Sequence, residues 1–450
     1  MLAGAAASAL GAAGLYEAID RLAGSPPKRP AIAGRPPEQH LLEGIAVIED
    51  NDVEVVVPPL HHRLVTANVR SEDLRAARRE LEGTLSGLER RYEPTPAGLG
   101  VTIGWGLPYF RRYVPEAWRA HAPYDRRARK LALIDAVRFP SDPRETILEH
   151  NDVAVLLRSD SSDHVADAAH ALFHDLDVFE VTTVRNGFVG GGFGGRRSLP
   201  KRIAVAARVP GADLIPDTAQ LFLGFTSTQK AGLGPRRIAN LETLGYVDLG
   251  LRAYFREGTH MHVSHVFEDL EAWYLNFDFR ERVDTAFRPG LDVAPDTQTV
   301  QQPAKGISTD AAVKRDFRDA GRIGHSGAIQ TSSRLQRDFV ATDGTVYARG
   351  TAVPQRADFN TLDNPFAWSS RLDEVQPLPA AGVHFVVFNP TSDDFHRNRL
   401  AMDGVLPDGT RLPLSPRARA QGFNSILRTS HRQNFLVPPR RHRSFPLAEL

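Results

Sequence analysis

The chain has 450 residues, 42% of them hydrophobic and 24% charged, and a formal net charge of +1. It is long enough for two or three packed domains and too apolar for general disorder. The near-neutral balance gives no bulk electrostatic case for a nucleic-acid or anionic-membrane partner, and the absence of cysteine excludes disulfides, thiolate-held metals and thiol nucleophiles.

The first segment, Leu2 to Leu15, is a mild Ala/Gly-rich apolar run followed by the proline-rich stretch Ser25 to Pro37. The run is too short to span a bilayer as a helix. It resembles the apolar region of a twin-arginine export signal that lacks its Arg-Arg pair, so an exported (periplasmic or extracellular) protein is the expectation. No later segment has the length and apolarity of a membrane span.

Gly44 to Val57 is rich in Val and Ile and reads as a strand. A helix is expected from Ser71 as N-cap, with Leu74, Ala77, Leu81, Leu85 and Leu88 on one face. Gly100–Gly106 and Asp152–Arg158 read as strands, and Ser162 or Asp163 caps a second helix presenting Val165, Ala168, Ala169 and Leu172. Val178–Phe188 closes the unit as a strand. The order is βαββαβ, the ferredoxin-like arrangement.

The second half repeats this order. His260–Phe267 is a strand and Glu268–Phe287 a helix presenting Leu270, Trp273, Tyr274 and Phe277. Thr345–Val353 and Gly382–Phe388 read as strands, Ser392–Met402 as a helix and Asn434–Val437 as a last strand. Pro289 to Arg337 has little periodicity and reads as a functional loop. The expected fold class is α+β, two ferredoxin-like (βαββαβ) domains with antiparallel sheets. The expected division is a signal-like, proline-rich segment over 1–40, a first domain over 41–215 and a second over 216–450.

Few local signals carry chemistry by themselves. Gly190, Gly192 and Gly195 satisfy G-x-G-x-x-G after a strand, but Pro200 argues against the long helix that would receive a pyrophosphate. His61 and His62 are adjacent on an extended chain and so point to opposite faces, a poor joint metal site. His260 and His262 share one strand face, a spacing that binds Zn²⁺ or Cu²⁺. His265 points the other way and no third ligand is evident, which leaves plain strand histidines as the alternative. No nucleophile elbow, HExxH, P-loop or DxDxDG loop is present.

Several segments in order resemble the dye-decolourising (DyP-type) haem peroxidases. They are Gly100–Gly106 (GVTIGWG), Asp152–Leu157 with the helix from Asp163, Gly258–Val263 running into Asp269–Trp273, and Gly382–Phe388 (GVHFVVF). The resemblance covers most of residues 44 to 440 and implies two ferredoxin-like halves, haem b in the second domain, and H2O2 with a small organic reductant as partners. Homo-oligomerisation is left open.

On that resemblance His325, in Gly324-His325-Ser326, is the proximal iron ligand. Asp393 or Asp394 would accept from its second nitrogen. Arg349 matches the distal arginine, a cation that would stabilise charge as the O–O bond breaks. The family's GFxDGT fingerprint corresponds to Gly224-Phe225-Thr226-Ser227-Thr228, so the distal acid has become Ser227, a poorer proton shuttle. Asp248 is a rival for that role at the wrong spacing. The family's arginine two residues after the ligand is Gly327 here. Three readings follow: a peroxidase with Ser227 in place of the acid, a non-peroxidatic haem or iron-handling protein, and an exported ferredoxin-like module without cofactor.

Overall fold

The computed structural model describes residues 16–32, 34–50, 53–191, 196–225, 241–247, 249, 252–295, 297, 307–341, 344–365, 378–414 and 422–450. Eight strands carry the architecture: β1 (His61–Val69), β2 (Gly100–Gly106), β3 (Val153–Ser159), β4 (Phe179–Phe188), β5 (Thr259–Glu268), β6 (Phe359–Thr361), β7 (Gly382–Asn389) and β8 (Leu427–Val437). The helices that cover them are α1 (Leu74–Arg91), α2 (Ser162–Phe173), α3 (Leu270–Asn276), α4 (Phe279–Ala286), α5 (Asp310–Ala320), α6 (His325–Ser333) and α7 (Ser392–Met402).

The first four strands pair antiparallel in the order β4-β1-β3-β2, and the last four in the order β8-β5-β7-β6. This order results when two βαβ crossovers each leave a gap that the other fills. The fold class is therefore the α+β, doubly ferredoxin-like one expected from the sequence. The two sheets also join. Phe435 and Leu436 of β8 pair with Gly106 and Trp105 of β2, and Asn360 of β6 pairs with Phe188 of β4. With β5 bonded to both β7 and β8, the ring of eight strands closes and no barrel edge is left for a stray strand.

Side chains from both halves fill the ring. Leu64, Leu156, Met261, Val263, Val386, Phe388 and Phe435 form one buried cluster. Gly104 makes room there, because a Cβ at this position would lie 2.8 Å from Cβ of Phe435 and 3.0 Å from Cε of Met261. Outside the first half, α1 buries Ala77, Leu81, Leu85 and Leu88, and α2 buries Val165, Ala168 and Leu172, against Ile103, Trp105 and Val155. Each such leucine contributes about 1.5–3 kcal/mol. The chain end returns to this layer: the Trp105 indole donates to Arg443 O at 2.8 Å, and Phe445 and Leu447 join the same core.

Several local expectations are corrected. Gly44–Val57 is not one strand but a hairpin of Ala46–Asp50 and Val53–Val57 outside the barrel. The first barrel strand is β1, whose leading His61-His62-Arg63 hid its apolar alternation. Asp73, not Ser71, caps α1: its carboxylate accepts from Ala76 N at 2.9 Å, while Ser71 Oγ donates to Asp73 O. After the glycine motif a short helix does form, Leu199–Ala206, with Pro200 in its first turn where no amide donor is needed; at eight residues it is not the long helix that was argued against. Of the glycine motif, Gly192 and Gly195 lie outside the described residues.

In the second half, Glu268–Phe287 divides into α3 and α4, because Asp278 starts a new helix in a capping box with Glu281. Thr345–Val353 is not the second strand of the domain. Val346–Tyr347 pairs off the barrel with Phe339–Val340, and β6, preceded by the short strand Gln355–Arg356, pairs with β7. Pro289–Arg337 is not a bare loop, since it contains α5 and α6. α7 begins at Ser392 as expected, capped by Thr391. Residues 2–15 lie outside the described residues, and among those described no helix is long and apolar enough to cross a membrane.

One end of the barrel is polar. His384, His265 and His431 stand in register across β7, β5 and β8. The His265 and His384 rings lie 4.3 Å apart. His384 Nε2 is 3.2 Å from Asp363 Oδ2, and Arg185 pairs with Glu149. Tyr16, just before the short helix Ile19–Ala23, donates its hydroxyl to Asp363 at 3.1 Å. Burial holds the His265 and His384 imidazoles well below their usual pKa, with the neighbouring histidine and Arg185 adding to this for His265 and Arg185 for His384. His262 is held down likewise and His260 falls to about 4, burial again leading.

A histidine whose folded pKa lies below its unfolded value of about 6.5 stabilises the fold fully above that pH and loses the contribution as pH falls. Each of these four costs up to about 1.4 kcal/mol per pH unit below 6.5. Asp363 and Glu268, whose burial raises their carboxyl pKa values, offset part of this. The melting temperature is expected to drop steadily from pH 6.5 to 4.5; a flat profile would contradict the neutral histidines. Gly104→Val is expected to overpack the barrel and cost about 1–3 kcal/mol, read as a lower urea midpoint, and an unchanged midpoint would mean that the interior can yield.

Candidate functional site around His325

α5 is capped by Thr309 and ends at Gly321 in the left-handed region; three residues later Gly324 is the N-cap of α6, so His325 is the first residue of that helix. α6 lies close to α4 at this point, because Gly327 N donates to Phe287 O at 2.7 Å and a Cβ on Gly327 would press that carbonyl at 3.2 Å. A side chain at position 327, such as the family's arginine, would therefore require the Phe287 carbonyl and Arg288 to give way by a few tenths of an ångström. α6 also packs on α7, where Ser332 Oγ donates to Asn398 Oδ1 at 2.6 Å.

His325 lines a cavity of about 340 Å³ together with Thr285, Arg322, Met402, Leu414 and Phe423. That volume lies within the ~300–1,000 Å³ typical of small-molecule and cofactor sites. The Phe423 ring sits 4.9 Å from the imidazole. Nδ1 of His325 is buried without a hydrogen-bond partner, whereas the ring as a whole is only half-buried and borders the cavity. Burial pushes the imidazole pKa down to about 3, and the guanidiniums of Arg356 and Arg399 push in the same direction. The ring is therefore neutral at any working pH, the state in which a ring nitrogen can ligate a metal.

Arg356 was not anticipated. Ala357 and Phe359 point into the barrel core, so Arg356 and Asp358 project from its outer side, towards the helices. Asp358 holds the guanidinium in a two-pronged pair at 3.0 and 2.8 Å. Burial lowers the Arg356 pKa, but this carboxylate more than compensates and raises it overall. The buried carboxyl of Glu268, at the end of β5, is pushed up to about 8 by burial and by Asp358. The available signal was the polar-apolar alternation of Gln355-Arg356-Ala357-Asp358-Phe359.

The other expected site residues are not brought to His325. Arg349 lies exposed in a turn, its amide donating to Asp338 Oδ1 at 2.7 Å, and it does not line the cavity. Asp393 does not accept from His325: it is paired with Lys130 at 2.7 Å and Arg397 at 3.4 Å at the start of α7, while Met402 at the other end of that helix borders the cavity. Asp394 is taken up by Thr391 and Arg397. Ser227 and Asp248 lie outside the described residues. His260 and His262 do not converge on a metal. His260 Nδ1 faces Pro390 O at 2.9 Å, and His262 is held by Asn434 Oδ1 and Ser264 Oγ, both at 2.6 Å. His61 pairs with Asp20 at 2.6 Å while His62 stacks on Phe359, on opposite faces as expected.

Among solved structures, the fold is similar to a protein from Shewanella oneidensis assigned to the dyp-type peroxidases, with a TM-score of 0.51 at 13% identity over 87% of this chain and 95% of that one. It is similar also to the DyP-type peroxidase from Cellulomonas bogoriensis, with a TM-score of 0.50 at 18% identity over 88% and 95% of the two chains. At these identities the likeness is one of fold. No curated protein matches the sequence. The model of a family of unknown function, DUF7405, matches residues 59–439, most of the barrel and the whole His325 site, and the chain belongs to that family.

Proposed function

We propose that the chain is a haem-b-binding, DyP-like peroxidase that uses H2O2 to oxidise a small organic reductant, with His325 as the iron ligand. The observation that carries this reading is the His325 ring: neutral, bordering a cavity of about 340 Å³, and set among apolar side chains on the helical side of the second half. Phe423, Met402 and Leu414 offer the apolar walls a porphyrin needs, and Arg322 offers a cation for its carboxylates. Bound haem would supply the redox chemistry that this cysteine-free chain does not carry in its side chains.

The chain's own residues do the rest. Burial with two nearby guanidiniums keeps His325 unprotonated, so its nitrogen need not lose a proton before it ligates. Arg356 does not line the cavity, but its charge acts on His325, and with Asp358 holding it, it is the residue proposed in the role first expected of Arg349, a fixed cation for the charge that develops as peroxide is cleaved. Ser227 remains the residue proposed at the position of the family's distal acid.

A second reading, haem binding without peroxidase turnover, is favoured by one observation. Nδ1 of His325 lacks the carboxylate that strengthens an imidazole as a donor to iron.

Protein expressed with haem is expected to show a stoichiometric Soret band, and His325→Ala to lose it while the far-ultraviolet circular dichroism is unchanged. A haem content unaltered in that variant would remove His325 from the ligand role, and a colourless protein that refuses hemin would sink both haem readings. Arg356→Ala is expected to lower H2O2 turnover at least tenfold, about 1.4 kcal/mol in the barrier, with haem still bound. A wild-type protein that binds haem but shows no turnover would select the second reading.

A further inference from the structure

The last turn of α2 and the two residues after it read His170-Ala171-Leu172-Phe173-His174-Asp175, in the first half of the molecule and outside the His325 site, with His174 as the C-cap. His170 and His174 are one turn apart, and both His174 N and Asp175 N donate to His170 O, at 2.8 and 3.1 Å. The imidazoles stack with centroids 4.2 Å apart and planes 27° from parallel. Each directs Nδ1 at a different oxygen of the same carboxylate, His170 at Oδ2 of Asp175 at 3.2 Å and His174 at Oδ1 at 3.3 Å. All three side chains are more than half exposed, so the group is open to an ion from solvent. Among the described residues it is the only set of three His, Cys, Asp or Glu side chains that presents one donor atom each within 4.8 Å of the others.

We propose that His170, His174 and Asp175 form a surface site for a divalent transition-metal ion, Zn²⁺ or its neighbours Ni²⁺ and Cu²⁺, with water in the remaining positions. Histidines four apart on a helix project from one face and chelate a single ion, as in the zinc-binding HExxH helix. A tetrahedral ion with Zn–N distances of about 2.0–2.1 Å and Zn–O distances of about 2.0–2.2 Å holds its donors about 3.3–3.5 Å apart, close to the 3.2 and 3.3 Å from each imidazole Nδ1 to the carboxylate, so only a small adjustment is needed. Free rotation of exposed side chains supplies that movement. Two imidazoles and one carboxylate select a borderline ion over Mg²⁺ or Ca²⁺, which prefer all-oxygen ligands. A helix C-terminus favours one positive charge, but that alone does not account for two rings aligned on one carboxylate.

The test is calorimetric titration of the full chain, stripped with a chelator, with ZnCl2. One equivalent is expected to bind in the micromolar range. His170→Gln and His174→Gln are each expected to weaken binding at least tenfold, and Asp175→Asn several-fold, with unchanged melting temperatures because the three side chains are exposed. Absence of binding by the wild type up to millimolar Zn²⁺ would overturn the proposal. So would a His170→Gln/His174→Gln double variant that binds as the wild type does, or equal competition by Mg²⁺.

Discussion

The closure of the eight-stranded ring is the constraint on which the rest of the molecule depends. Two antiparallel four-stranded sheets, each with an exposed edge, would be open to mispairing. Here each edge is used by the other half, through Phe435 and Leu436 on Gly106 and Trp105 and through Asn360 on Phe188. Closing the ring forces the inward faces into a shared core and sends every covering helix outside. A cavity able to hold a small molecule must then lie in the helical layer, as the one at His325 does. The ring also couples the halves in stability, because Met261 of the second and Leu64 of the first share one buried cluster.

The same closure explains the unusual load of buried polar groups. A barrel of eight strands is just wide enough for its interior to be filled by side chains, and this one is filled by apolar residues along much of its length and by histidine, arginine and glutamate at one end. His384 and His265 can be buried there only as neutral rings. The paired Arg185 and Glu149 bring no net charge. Tyr16 reaches the Asp363 carboxylate that faces His384, so this residue, though it precedes β1, is part of the polar end.

What could be read from the sequence divides along physical lines. α1 and α2, and the strands β2 and β7, are legible because their apolar residues keep a helical or strand period, although the caps are Asp73 and Ser161 and not the residues expected. β1 was hidden because histidines and an arginine occupy positions at its start, where the tertiary structure stacks His62 on Phe359. α6 was hidden because His-Ser-Gly-Ala-Ile-Gln-Thr-Ser-Ser has no apolar stripe: its small residues serve close packing on α4 and α7. His325 itself was reached through resemblance to a family, not through any local period. Arg356 was missed because its strand segment is two residues long and follows a proline, so that the i,i+2 pair with Asp358 carries the only signal.

The departures from the DyP pattern are not all of one kind. Gly327 suits the packing, since the helix that presents His325 approaches the Phe287 carbonyl and a Cβ there would make a tight contact at 3.2 Å. The exchange of a carboxylate partner for an unpartnered Nδ1 is chemical: Asp393 and Asp394 are present on α7 but belong to its first turn, where Asp394 closes the capping box with Thr391 and the two pair with Lys130 and Arg397. Having α7 run so that Met402, not Asp393, faces the cavity leaves the imidazole neutral but not strengthened as a donor. A metal held by such a ring would lack the added electron donation that a carboxylate partner gives an imidazole. In a barrel whose closure fixes where α7 can lie, that difference cannot be undone by a side-chain rotation. It would take a new acid on the elements that already surround Nδ1.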